Sequence, residues 1–160
     1  MKAKLSLTFL AIAILCVPAI AQEESSPPAS EQARKVEALV TKAAELIDKS
    51  GKAAFGEFRK RDSEWFYGDT YLFIYDLKAN VLLNPAFPQR EGTNVSGQKD
   101  AKGKLLHAAI IQVAENEGSG WVDYMFPKPG QTEPSQKWTY VKKVTIDGVP
   151  GLVASGFYPE

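Results

Sequence analysis

Cysteine and histidine are almost missing from this 160-residue chain, which has one of each, Cys16 and His107. Cys16 falls inside an apolar N-terminal run, so everything downstream lacks a thiol. That excludes a disulfide, a cysteine metal site and a cysteine nucleophile from the rest of the chain. A single histidine leaves no His-rich zinc site. An excess of either charge is also missing, with 19 Lys and Arg against 19 Asp and Glu. Nothing in that balance points to nucleic acid or to an anionic membrane surface. No GxSxG, Walker loop or GxGxxG occurs. Asp62, Asp69, Asp76 and Asp100 lack the spacing of a calcium loop. An enzyme reading then rests only on carboxylates such as Asp76 and Asp100 meeting in space, and the balance favours a protein that is not an enzyme.

The first residues read as a targeting segment. Lys2 and Lys4 precede an apolar core from Leu5 to Ile20, and Ala19-Ile20-Ala21 places small residues at −3 and −1. This is the pattern of a signal peptide over residues 1–21, cleaved after Ala21, and it predicts a periplasmic or secreted protein. A retained anchor is the competing reading, but a bilayer crossing needs about 20 apolar residues. A lipoprotein is another, but Leu15 stands before Cys16, where a lipid-attachment box requires a small residue. The mature chain from Gln22 holds about 139 residues, enough for one domain with its own core. Residues 22–30 (QEESSPPAS) are polar and proline-containing and read as a disordered leader. The sequence predicts a single domain over residues 31–160.

Ser30 suits an N-cap. From Glu31 to Lys49, Ala33, Val36, Val40, Ala43 and Ile47 recur at helical spacing, widened by Leu39 and Leu46. Ser50-Gly51 ends the pattern. The stripe fits packing on the domain's own sheet, and also pairing with a second copy. Lys52 to Lys60 predicts a second short helix, and Asp62 to Thr70 a loop whose Trp65-Phe66-Tyr67 covers an edge or roofs a pocket. Thr70 to Leu77 (TYLFIYDL) predicts a strand with apolar groups on both faces. Val81 to Leu83 returns as its partner. Ala86 to Lys99 reads as loop. Leu105 to Glu115 has a helical stripe, with Asp100 expected to cap it or stand in its first turn. His107 lies on this helix, where a lone histidine is ordinarily a surface or packing residue. Val144 to Ile146, the type I′ pair Asp147-Gly148 and Val149 to Phe157 predict a last hairpin. The fold class is α+β, a five-stranded antiparallel sheet with helices mainly on one side.

The richest stretch runs from Gly118 to Lys142. Two neighbouring strands, Trp121 to Phe126 and Lys137 to Lys142, carry two Trp, two Tyr and a lysine, Lys137, although strand lysines are usually solvated. Aromatic residues favour strands for packing reasons alone. They also wall a pocket for a small anion. Lys137 and Tyr140 can donate to a carboxylate, Trp121 and Tyr124 can close its apolar sides, and Tyr71, Tyr75 and Asn84 come from the neighbouring hairpin. Alternation opposes the full set: Lys137 and Tyr140 fall on opposite faces of a regular strand unless a bulge intervenes or the lysine sits at the strand entrance.

From Tyr71 to Tyr158 the chain resembles a single Cache domain of the second type, an extracytoplasmic sensory module of bacteria. The pieces are Tyr71-Leu72-Phe73-Ile74-Tyr75-Asp76, Asn84-Pro85 where the family often has His-Pro, and Gly92. Asp100-x-x-Gly103-Lys104, Gly118-x-Gly120-Trp121-Val122-x-Tyr124 and Pro127-x-Pro129-Gly130 follow. Lys137-x-x-Tyr140-Val141-Lys142 and Gly156-x-Tyr158 close the series. The resemblance implies a PAS-like Cache fold, with a long N-terminal helix and a second helix packed on the five-stranded sheet. It implies no cofactor, and a small organic acid ligand of the acetate, propionate, pyruvate or lactate kind. The implied pocket residues are Tyr71, Tyr75, Trp121, Tyr124, Lys137 and Tyr140, with Asn84 at the rim. Asn84 in place of histidine removes a titratable donor. Glu160 follows the domain without an output module, which predicts a free-standing Cache protein that signals through a partner. That partner is expected to be a membrane sensor or a second copy, docked through the helix Glu31 to Lys49. The alternative is an interaction protein whose pocket is degenerate.

Overall fold

The computed structural model describes residues 26–159, except Pro28. The expected signal peptide and most of the leader lie outside these residues. Helix α1 spans Glu31–Ser50. A 3-10 turn, Gly51–Ala54, and the short α2, Phe55–Phe58, follow. Two-residue strands β1, Phe66–Tyr67, and β2, Thr70–Tyr71, form a small hairpin. The main sheet has five strands: β3 Phe73–Asp76, β4 Val81–Leu83, β5 Ser119–Pro127, β6 Pro134–Ile146 and β7 Val149–Phe157. They are antiparallel in the order β4-β3-β7-β6-β5. Helix α3, Leu106–Asn116, precedes β5. Among the described residues no helix is long and apolar enough to cross a membrane.

The α1 stripe buries Ala33, Val36, Leu39, Val40, Ala43, Ala44 and Ile47. It packs over β6 and β7, against Leu72, Ile74, Tyr140, Val144, Ile146, Val153 and Phe157. A fully buried aliphatic side chain contributes roughly 1.5–3 kcal/mol, so this face alone holds the helix down. Ser30 Oγ accepts from Ala33 N at 3.0 Å, the expected cap. The other end is latched to the β6–β7 turn. Asp48 Oδ1 accepts from Thr145 N at 2.8 Å, and Asp147 Oδ2 from Lys52 N at 3.4 Å. Gly51 has φ +55, and a Cβ there would collide with the Asp147 carboxylate. Asp147 and Gly148, at φ 50 and 82, make the positive-φ turn expected of that pair.

The opposite sheet face carries a second core. Phe73, Tyr75, Val122, Tyr124, Val141, Leu152 and Ala154 pack there against Leu106, Ile110, Ile111 and Ala114 of α3. The helices therefore cover both faces, not mainly one. Residues 84–105 fold over the same face as a tied loop. Arg59 donates to both Glu91 oxygens at 2.8 and 2.7 Å, while Glu91 Oε1 accepts from Asn84 N at 2.8 Å.

Asp100 does not cap α3, which starts six residues later and has Leu105 at its cap with no side-chain bond. Its carboxylate instead accepts from Lys102 N, Lys104 N and, across the structure, Met125 N, each at 2.9 Å. The expected strand Thr70–Leu77 is divided at Leu72, because Tyr67 and Thr70 pair within the segment expected to be loop. The expected strands Lys137–Lys142 and Val144–Ile146 are one, since β6 runs unbroken to the last turn.

Candidate ligand-binding site

Strand β6 projects Lys137, Thr139 and Val141 onto the α3 face and Trp138, Tyr140 and Val144 onto the α1 face. Its register with β5 is unbroken from Ser119↔Lys142 to Pro127↔Pro134. No bulge rescues the parity conflict, so Lys137 and Tyr140 point to opposite faces. Trp121 pairs with Tyr140 across β5 and β6, their rings 5.1 Å apart, and both belong to the α1 side. Neither reaches the lysine's face. Tyr71, Tyr75, Tyr124 and Lys137 do come together on the α3 face.

Lys137 is fully buried. Its Nζ donates to the Tyr71 hydroxyl at 2.9 Å. It lies 4.2 Å from the Tyr71 ring centroid, 5.3 Å from Tyr158, 5.5 Å from Phe73 and 5.6 Å from Phe126. Among the described residues no carboxylate lies within ion-pair distance of it; Asp69, the acid whose field it feels, pairs with Lys128 at 3.5 Å. Burial holds the ammonium's pKa down to about 7, and Asp69 opposes this only in part. Cation–π attraction offsets some of the lost hydration. The lysine stem crosses Gly156, where a Cβ would meet Lys137 Cε at 2.9 Å and Thr139 Oγ1 at 2.6 Å.

The phenols around it are donors throughout the biological range. Burial raises Tyr71, Tyr75, Tyr124 and Tyr158 above the ordinary phenol value. Tyr124 stands directly opposite Lys137 on β5 and shares a 2.8 Å hydrogen bond with Thr139 Oγ1. Tyr158 donates to Pro127 O at 2.7 Å, closing the site's outer end. Phe87 packs edge-on against Tyr71 and Phe126, with centroids 5.9 and 5.3 Å apart. Asn84 is buried, but its Oδ1 accepts from Phe87 N at 3.1 Å, so it sets the loop that carries Phe87. Tyr75 packs edge-on against His107 at 5.4 Å. His107 is a buried packing residue, and its Nε2 lies 2.9 Å from the Arg90 guanidinium.

Phe73, Phe126, Thr139 and Tyr158 were missed by sequence reasoning, although two-residue parity from Tyr71, Tyr124 and Lys137 reaches all but the last. Arg90 and His107 carry no such signal, because only the folded loop brings them here. Among the described residues no cluster of three metal-ligating side chains occurs.

The antiparallel sheet, with an aromatic box around a buried cation on one face, makes an α+β domain of the expected PAS-like class. The chain belongs to the Cache domain family, whose sequence profile matches residues 59–149. It is 30% identical over 92 residues to the methyl-accepting chemotaxis protein McpP of Pseudomonas putida, covering 58% of this chain and 16% of that protein. It is 31% identical over 93 residues to the sensor histidine kinase MctS of Rhizobium johnstonii, covering 58% and 20%. The chain therefore matches a fifth or less of these relatives. Among solved structures, a periplasmic sensor domain of a chemotaxis protein superposes with TM-score 0.70 and 31% identity, over 81% of this chain and 95% of that one. A Cache chemosensory domain described as recognising carboxylic acids superposes with TM-score 0.67 and 26% identity, over 80% and 93%.

Proposed function

We propose that this Cache domain is an extracytoplasmic sensory module that binds a small carboxylate and catalyses nothing. The observation that carries the reading is a buried lysine with hydroxyl and aromatic neighbours and, among the described residues, no carboxylate of its own. An isolated buried ammonium is costly, and an anionic ligand is the group that would compensate it. A charge-assisted hydrogen bond from Lys137, with the Tyr71 hydroxyl beside it, would anchor the carboxylate. Phe73, Tyr75, Tyr124, Phe126 and Tyr158 would limit the size of its tail. A carboxylic-acid-recognising structural neighbour supports the same chemistry. Placement outside the cytoplasm rests on the N-terminal signal pattern and on the periplasmic neighbour.

A second reading keeps the fold but not the ligand: an interaction module that docks on a membrane sensor, or on a second copy, through Glu31–Ser50. The close packing of rings about Lys137 favours it. Thermal unfolding of the chain from Gln22 onward against short carboxylates separates the two. A ligand at about 100 times its dissociation constant stabilises by roughly 2.7 kcal/mol, a melting shift of several degrees. Lys137→Ala should abolish the shift and leave the fold intact. An unchanged shift in that variant removes the lysine from the site, and no shift with any acid favours the interaction module.

A further inference from the structure

Beside the lysine box lie two buried nitrogen atoms without partners, on a half-buried arginine and a buried histidine. Arg90 closes the 3-10 turn Pro88–Arg90 in the loop over the α3 face. One of its terminal nitrogens donates to Gln98 Oε1 at 2.6 Å and faces His107 Nε2 at 2.9 Å. Arginine only donates, so His107 Nε2 accepts and the ring proton sits on Nδ1. Burial and the adjacent guanidinium hold the imidazole's pKa down to about 3, which keeps this acceptor neutral. The Arg90 Nε and His107 Nδ1 atoms are both buried, with no hydrogen-bond partner among the described residues. A buried donor without a partner is destabilising and calls for an explanation.

The neighbouring acid does not supply one. Glu91 is next in sequence, but both its oxygens are taken by Arg59. No ion pair joins Arg90 to any carboxylate among the described residues. Its guanidinium carbon lies 5.5 Å from the Phe126 ring centroid, and Lys137 Nζ lies 5.6 Å from the same centroid. Both cations, neither ion-paired among the described residues, thus lie against the same Phe126 ring. Arg90's charge also reaches Tyr75 and Tyr124, where it opposes the effect of burial.

We propose that Arg90, held in place by His107 and Gln98, is a second anion anchor of this pocket, and that the ligand is a short dicarboxylate. The proposal rests on the carboxylate reading of the Lys137 site. Lysine suits one carboxylate as a point charge, and the planar arginine fork suits the other. His107 is a positioning residue whose neutral ring accepts from Arg90 without competing for the anion.

The test is calorimetric titration at pH 6 with propionate, malonate and succinate, using the wild-type chain and the Arg90→Gln, Arg90→Lys and Lys137→Met variants. A hydrogen bond to a charged group is worth about 1.5–3 kcal/mol, roughly a ten- to hundredfold difference in affinity. The wild type should therefore bind one of the diacids at least about tenfold more tightly than propionate. Arg90→Gln should erase that preference while leaving propionate affinity nearly unchanged. Arg90→Lys, which keeps the charge and loses the fork, should erase part of it and serves if the glutamine variant does not fold. Lys137→Met should abolish binding of all three acids. Equal binding of propionate and the diacids by the wild type overturns the second anchor and leaves the monocarboxylate reading standing. An equal loss for all acids in both Arg90 variants makes Arg90 a structural residue and also overturns it. Failure of the wild type to bind any of the three defeats the carboxylate reading, and this inference with it.

Discussion

Lys137 and Tyr71 are 66 residues apart in sequence, and their Nζ and hydroxyl atoms meet at 2.9 Å in the interior. The contact joins β6 to β2 across Gly156 of β7, where a Cβ would crowd the lysine stem. Burial costs the lysine its hydration, and the hydroxyl and the rings return only part of it.

Lys137→Met should consequently raise the melting temperature of the ligand-free protein while ending acid binding. Replacing buried charge by an apolar group of similar length is often stabilising, by roughly 1–4 kcal/mol. Chemical denaturation of the two proteins without ligand measures this. A less stable methionine variant would mean that the lysine is already well compensated.

The lysine also sets a pH window. Its folded value of about 7 lies below the ordinary 10.5. Between those values the unfolded chain holds more protons than the folded one, so stability from this group rises with pH across the window and is flat below it. Binding of a carboxylate needs the ammonium and runs the other way: affinity should fall by up to about tenfold per pH unit above 7. Titrations at pH 8 in two buffers of different ionisation enthalpy should show proton uptake on binding, and the absence of uptake would sink the prediction.

His107 predicts an acid limit. Its folded value of about 3 lies below the ordinary 6.5. Over that interval the unfolded chain is the better proton acceptor, so stability falls as pH drops from 6.5 toward 3, by up to about 1.4 kcal/mol per pH unit. His107→Gln keeps an acceptor for Arg90 and does not titrate. Its unfolding free energy should fall less steeply below pH 6 than the wild type's, and parallel curves would count against the assignment.

Gly156→Ala should be costly despite the small change. The new methyl group would collide with Trp138 O, and with Thr139 Oγ1 and Lys137 Cε at 2.6 and 2.9 Å. Overpacking of this kind costs about 1–3 kcal/mol, and here it also displaces the lysine. A combined loss of melting temperature and acid affinity is expected, whereas full affinity would show that the lysine stem can move aside.

Much of the architecture was legible because periodicity reports it directly. The α1 stripe from Ala33 to Ile47, the Val81–Leu83 strand and the Asp147-Gly148 turn stand where the pattern places them. Which face a helix covers is a tertiary fact, and α3 lies on the side opposite α1. Asp100 misled because a carboxylate ahead of a helix resembles a cap whether or not a strand amide, here Met125 N, competes for it. Within the site, parity carried real information. It set Tyr140 against Lys137, and the unbroken register left that conflict intact, with Trp121 on Tyr140's side. Arg90 gave no signal because its position depends on a loop whose path is fixed by Arg59, Glu91 and Asn84.

Strand β6 presents Lys137 to one side and Tyr140 and Val144 to the other, with no irregularity between them. Such a strand works as a shared partition. Any shift of Lys137 would act on the same backbone on which α1 rests, and Asp48 clips that helix to Thr145 at the partition's far end.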